Sequence, residues 1–111
     1  MNAKYNTRKG RKLQKLVADK ILKTFRPNLK KSDVQVAGIG VNGPDVCLSK
    51  NGTRLCPFQF EAKSQNRMKT IYKWKKQSEK NTNLDGVLVM RMNKKDPLAV
   101  INMDLFFDLI K

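Results

Sequence analysis

The sequence predicts an α/β fold with the element order αβββαββα. Three observations carry that reading. Apolar residues recur at three- and four-residue steps in two long stretches, short β-branched runs lie between and after them, and Gly-, Asn- and Pro-rich breaks separate the runs. A chain of 111 residues is the size of one small domain.

The first helix is expected from about Lys12 to Phe25. Leu13, Leu16, Val17, Ile21 and Phe25 form its apolar stripe, and Lys15, Asp19 and Lys23 lie opposite. Gln14 breaks the pattern. At 100° per residue it falls inside the stripe, where a polar side chain needs a partner. It is either bonded to backbone, an edge residue reaching solvent, or aimed into a site. Ahead of the helix, residues 1–9 read as a basic arm disordered in isolation, with Lys4, Arg8 and Lys9 running on into Arg11 and Lys12. Pro27 ends the helix, because it offers no N–H and disfavours helix at Arg26.

A polar loop (28–33) leads to a first strand, Val34 to Ile39. Gly38, Gly40 and Gly43 then approach Pro44-Asp45, either as an ordinary turn or as small residues that admit a nucleic-acid backbone. Residues 46–62 read as a hairpin, since Asn51-Gly52 is a strong turn signal. A two-residue loop places Asp45 on the face opposite Glu61 and Lys63. A three-residue loop, Lys50-Asn51-Gly52, or a bulge at Pro57, places all three on one face. In the three-residue register Cys47 and Cys56 point to opposite faces, which argues against a disulfide.

A second helix is expected over 66–80. Met68, Ile71, Tyr72 and Trp74 form its apolar stripe, with Trp74 read as core, and Arg67, Lys69, Lys73, Lys76 and Lys80 form a basic flank. Strands are expected next at Gly86 to Met92 and Leu98 to Ile101. A short helix, Asp104 to Ile110, closes the chain. Its Phe106, Phe107, Leu109 and Ile110 exceed what one face of a two-turn helix buries, which suggests a homodimer interface extended by Leu98 to Ile101.

Composition narrows the function. The net charge is +15 and the pI about 10.2, so the expected partner is a polyanion, nucleic acid first and an anionic membrane surface second. No apolar run is long enough to cross a bilayer, and the polar start has no secretory h-region. The reading is therefore cytoplasmic, in a host cell if the source is viral, with two reduced cysteines and no membrane partner.

The residues that carry chemistry are few. The chain has two glutamates and no histidine. Glu61 and Lys63, two apart in an extended run, share a face, and Asp45 opens the strand before them. Two carboxylates and an ammonium at one spot suit Mg²⁺ beside a phosphate. Pro44-Asp45 followed by Glu61-Ala62-Lys63 resembles the PD-(D/E)XK nuclease superfamily. Arg8-Lys9-Gly10 at the entry to the first helix makes the chain most similar to its archaeal-type and viral Holliday-junction resolvases.

That resemblance implies a mixed five-stranded sheet flanked by helices in a nuclease domain over 10–111, restriction-endonuclease-like, behind the arm at 1–9. It implies Mg²⁺, with Mn²⁺ as substitute, held by Asp45, Glu61 and the Ala62 carbonyl. Lys63 would orient water or stabilise the phosphate, and Gln14 and Gln65 would position it. Gln14 stands where the family usually has a glutamate. The implied reaction is paired hydrolysis of branched DNA, chiefly four-way junctions, by a homodimer. DNA would be held by Lys4, Arg8, Lys9, Arg11, Lys12, Arg67, Lys69, Lys73 and Lys76. The rivals are a non-catalytic nucleic-acid binder and a related nuclease acting on other DNA.

Overall fold

The computed structural model describes residues 3–36 and 45–111, with side chains from Gly10 onward in the first helix. It is a mixed α/β structure with four α-helices and two antiparallel two-stranded sheets among the described residues. The chain divides into two compact units, residues 1–64 with 110–111, and residues 65–109.

In the first unit, α1 runs from Ala3 to Thr24, so residues 3–9 of the expected arm carry helical backbone. Val17, Ala18 and Ile21 are buried and Leu13 is half-buried. Leu16 is exposed, against expectation. It sits about 100° from Val17, outside the arc that Val17, Ala18 and Ile21 define. Lys23 in the last turn favours the negative end of the helix dipole. The chain turns after Thr24 and passes a cis Arg26–Pro27 bond.

A single 3₁₀ turn, Lys31–Asp33, leads into β1 (Val34–Val36), which pairs with β2 (Val46–Leu48). The register is Val34 with Leu48, Gln35 with Cys47 and Val36 with Val46. Helix α1 packs on both strands, and Ile21, Leu29, Val34, Val46 and Cys56 are the buried centre of this unit. The remainder of the expected first strand, the glycines before Asp45, and Pro44 lie outside the described residues.

The expected hairpin over 46–62 is corrected. Asn51-Gly52 does not turn a hairpin but lies in helix α2, Lys50–Leu55. Ser49 is its N-cap: the Ser49 hydroxyl accepts a hydrogen bond from Gly52 N–H (3.0 Å) and donates one to Asp33 Oδ1 (2.7 Å). Lys30 N–H donates to Asp33 Oδ2 (2.8 Å), and Ser49 N–H to the Asp33 carbonyl (2.8 Å). Gly52 is buried, and a Cβ there would lie 3.1 Å from the Asp33 carbonyl oxygen and 3.3 Å from Leu48 Cβ. The glycine is needed for this close approach, not for a turn. Residues 57–68 carry no regular secondary structure, so no strand forms at Phe58 to Ala62 among the described residues.

In the second unit, α3 spans Lys69–Gln77 and is shorter at both ends than the expected 66–80. Lys75 is buried and paired with Glu79 one turn on. Gly86 is buried where any Cβ would strike Ser78 and Glu79, so the loop after α3 folds back onto its C-terminal end. β3 (Leu88–Met90) pairs with β4 (Leu98–Val100) in the register Leu88 with Val100, Val89 with Ala99 and Met90 with Leu98. Helix α4, Met103–Ile110, matches the expected closing helix.

Candidate functional site

The site forms between the start of β2 and the irregular segment beyond α2. Asp45 immediately precedes β2 and is half-buried. After α2 the chain returns past the same strand: Pro57, Phe58 and Gln59 line one open pocket with Val46, Leu48 and Thr53. The return brings the Ala62 N–H to Asp45 Oδ2, where it donates a 2.6 Å hydrogen bond. On either side of Ala62, Lys63 Nζ and Glu61 Oε1 form an ion pair at 3.2 Å. Side chains two residues apart reach each other here, as an extended run requires.

Four of the expected site residues therefore come together: Asp45, Glu61, Ala62 and Lys63. The ion pair is open to solvent, with 69% of the Lys63 side chain and 61% of the Glu61 side chain exposed. A pair so exposed contributes at most about 1 kcal/mol and exchanges partners easily. Asp45 is held differently. One carboxylate oxygen is fixed by backbone, and Oδ1 has no hydrogen-bond partner among the described residues.

Gln14 is half-buried on α1 at the positions three and four before Val17 and Ala18, on the face that packs against β1 and β2. No hydrogen bond joins it to Asp45 among the described residues. No buried side-chain nitrogen or oxygen among the described residues lacks a partner. Gln65 is exposed and opens the second unit.

Among the basic residues, Arg11, Lys12, Arg67, Lys69, Lys73 and Lys76 are all exposed. Lys4, Arg8 and Lys9 lie in α1, and their side chains fall outside the described residues. The expectation that Trp74 is core is corrected: it is 43% exposed, because Ile71 and Lys75 occupy the inward arc of α3. On α4, Phe107 is buried and stacks edge-on against the half-buried Phe106, with ring centroids 5.2 Å apart. Ile110 is half-buried and Leu109 is exposed.

Sequence reasoning missed Asp33, whose carboxylate ties the 3₁₀ turn to the cap of α2. Hydrogen bonds from Lys30 N–H first, and from the Ser49 hydroxyl next, hold its carboxyl below the ordinary aspartate range. The available signal was Ser49 at a helix N-cap, read instead as part of a strand. Neither cysteine is in a disulfide. Cys56 is fully buried, and that burial raises its thiol pKa.

No helix among the described residues is long and apolar enough to cross a membrane. No family model, no curated protein and no solved structure matches the chain.

Proposed function

We propose that the chain is a Mg²⁺-dependent endonuclease of the PD-(D/E)XK kind that cuts branched DNA, with the four-way junction as preferred substrate. The observation that carries this reading is the Asp45 carboxylate bonded to the Ala62 N–H, between the paired Glu61 and Lys63. The Asp45 carboxylate lies against the backbone between Glu61 and Lys63, which supports the reading although the segment linking them folds as a helix. The same reading includes a restriction-endonuclease-like mixed sheet, in which the segment returning past β2 would be a further strand.

The donor set fits the ion. Asp45 and Glu61 supply hard carboxylate oxygens, and the Ala62 carbonyl a third oxygen. Among the described residues there is no group of three or more His, Cys, Asp or Glu side chains. Mg²⁺ is commonly held by one or two carboxylates, with water and phosphate oxygens completing its shell. When bound, it supplies Lewis acidity at a phosphate oxygen and a water of lowered pKa; Mn²⁺ would substitute.

The chain's own residues do the rest. The Ala62 N–H orients the Asp45 carboxylate. Glu61 would exchange its exposed lysine for the cation, which frees the Lys63 ammonium to donate to a non-bridging phosphate oxygen or to the attacking water. The Gln14 amide would position the phosphate. Arg11, Lys12, Arg67, Lys69, Lys73 and Lys76, with Lys4, Arg8 and Lys9 on α1, would hold the flanking strands through phosphates. Two opposed cuts in a junction need two sites, so the acting species would be a two-fold homodimer. The exposed Leu98 and Leu109 offer apolar material for its interface.

The deciding experiment is cleavage of a labelled four-way junction in Mg²⁺, against a matched linear duplex and an EDTA control. Metal-dependent nicking near the branch is expected. Sedimentation should show a dimer on the junction; a single chain per junction would leave a nicking nuclease. A second reading, a non-catalytic basic nucleic-acid binder, is favoured by one observation, the mutual neutralisation of Glu61 and Lys63. Tight junction binding with no cleavage in Mg²⁺ or Mn²⁺ would select it.

A further inference from the structure

Helix α3 carries a second feature that the metal chemistry does not use. Lys69, Tyr72, Lys73 and Lys76 stand at i, i+3, i+4 and i+7, so they share an arc of about 100° on one side of the helix. All four are exposed, and Tyr72, at 72%, is the most exposed aromatic among the described residues. The opposite side is fixed inward by the half-buried Ile71 and the buried Lys75. The nearest carboxylate in sequence, Glu79, is already taken by Lys75. The outer arc is therefore a row of three cations with one aromatic ring set among them.

We infer that this face binds single-stranded DNA, with the Tyr72 ring stacking on an unpaired base and Lys69, Lys73 and Lys76 neutralising the neighbouring phosphates. Charge and shape together select this occupant. A ring with a polar tip left in water offers a stacking platform for any base, and flanking lysines track the backbone of the same strand. An interfacial membrane helix needs a broad apolar face. This arc has one ring and no second large apolar side chain. The inference rests only on the nucleic-acid part of the proposed function, and the strand it fits is the one opened at a branch point.

The test is fluorescence anisotropy with labelled oligo-dT in EDTA, so that binding is read with cleavage silent. Tyr72→Ala should weaken oligo-dT binding by about 5- to 150-fold, the range for losing one base–aromatic stack, while Tyr72→Phe stays within about twofold. On an abasic strand of the same length, Tyr72→Ala should bind like the unsubstituted chain. Replacing Lys69, Lys73 and Lys76 together by Gln should lower the slope of log affinity against log salt by about 2, at roughly 0.7 per phosphate. Equal oligo-dT binding by Tyr72→Ala would overturn the inference, as would equal weakening on the abasic strand. So would loss of binding to phosphatidylserine vesicles with oligo-dT binding intact. Because no metal is present, a failure here is distinct from failure of the nuclease reading, which cleavage tests.

Discussion

Asp45→Asn separates the structural role of one carboxylate from the ligand role proposed for it. Oδ2 accepts the 2.6 Å hydrogen bond from Ala62 N–H, and on the proposed nuclease reading Oδ1 would be the oxygen offered to a cation. An asparagine turned with its oxygen toward Ala62 keeps the first role and loses the second. The structural cost is the difference between a charge-assisted and a neutral hydrogen bond, about 1 kcal/mol. For a unit of this size that lowers the melting temperature by roughly 4–8 °C. Asp45→Ala also strips the partner from the Ala62 N–H, at about 1–3 kcal/mol. The catalytic cost is larger, because a ligand charge lost from the ion removes several kcal/mol of stabilisation, or at least about 10²-fold in rate. Circular dichroism melts and single-turnover junction cleavage read the two costs apart. Asp45→Asn should melt no more than about 4–8 °C below the unsubstituted chain, bind junction undiminished, and cut at least about 10²-fold more slowly. Cutting at an unchanged rate would remove Asp45 from the metal site. A collapse in melting temperature as large as that of Asp45→Ala would show that the carboxylate serves the fold alone.

Three other outcomes rest on the same geometry. Glu61→Gln breaks an ion pair that is mostly in solvent, so thermal stability should fall by less than about 1 kcal/mol while cleavage is abolished; an unfolded Glu61→Gln protein would refute the exposed placement. The Asp33 carboxyl is held below its ordinary value near 3.8. Its stabilising share is therefore fully present above the unfolded-state pKa and is lost as pH falls through the lower folded-state value. An acid titration by circular dichroism should show that slope below about pH 4, and Asp33→Asn should flatten it. In thiol labelling at neutral pH, Cys47 should react rapidly, while the buried Cys56, its thiol pushed up by burial, should react only in denaturant. Equal rates for the two would contradict the packing of Cys56.

The helices α1, α3 and α4 and the strands β3 and β4 were legible because each repeats a period over several residues or is a short β-branched run between breaks. Leu16 and Trp74 were misplaced for a common reason. Helical spacing says that residues neighbour one another, but not how wide the buried arc is. On α3 that arc is narrow and one of its members is a lysine, which no apolar pattern reveals. Lys75 is accommodated there because Glu79 pairs with it. A buried charge of this kind is set by its partner rather than by its own period.

The stretch 49–56 was illegible for a different reason. Ser49-Lys50-Asn51-Gly52 supports two local structures, an Asn-Gly hairpin turn and a serine-capped helix. The contact that decides between them is remote in sequence: the Asp33 side chain receives the Ser49 hydroxyl, and its carbonyl receives the Ser49 N–H while crowding the place of a Gly52 side chain. A hairpin would require Ser49 to continue the strand and would leave Asp33 without that partner. The helix also changes where the chain returns: a hairpin would set Asp45 opposite Pro57 or Phe58, short of Ala62, whereas the return after α2 brings the Ala62 N–H to the Asp45 carboxylate. A hairpin and a short helix each reverse the chain and return it past β2. The register arithmetic of the hairpin mattered only if the loop were a turn. With a helix in its place, the backbone bond from Ala62 to Asp45 fixes the alignment directly. The Asp45–Ala62 contact thus depends on the form of the reversal, and that form is chosen by a contact from the first strand's approach.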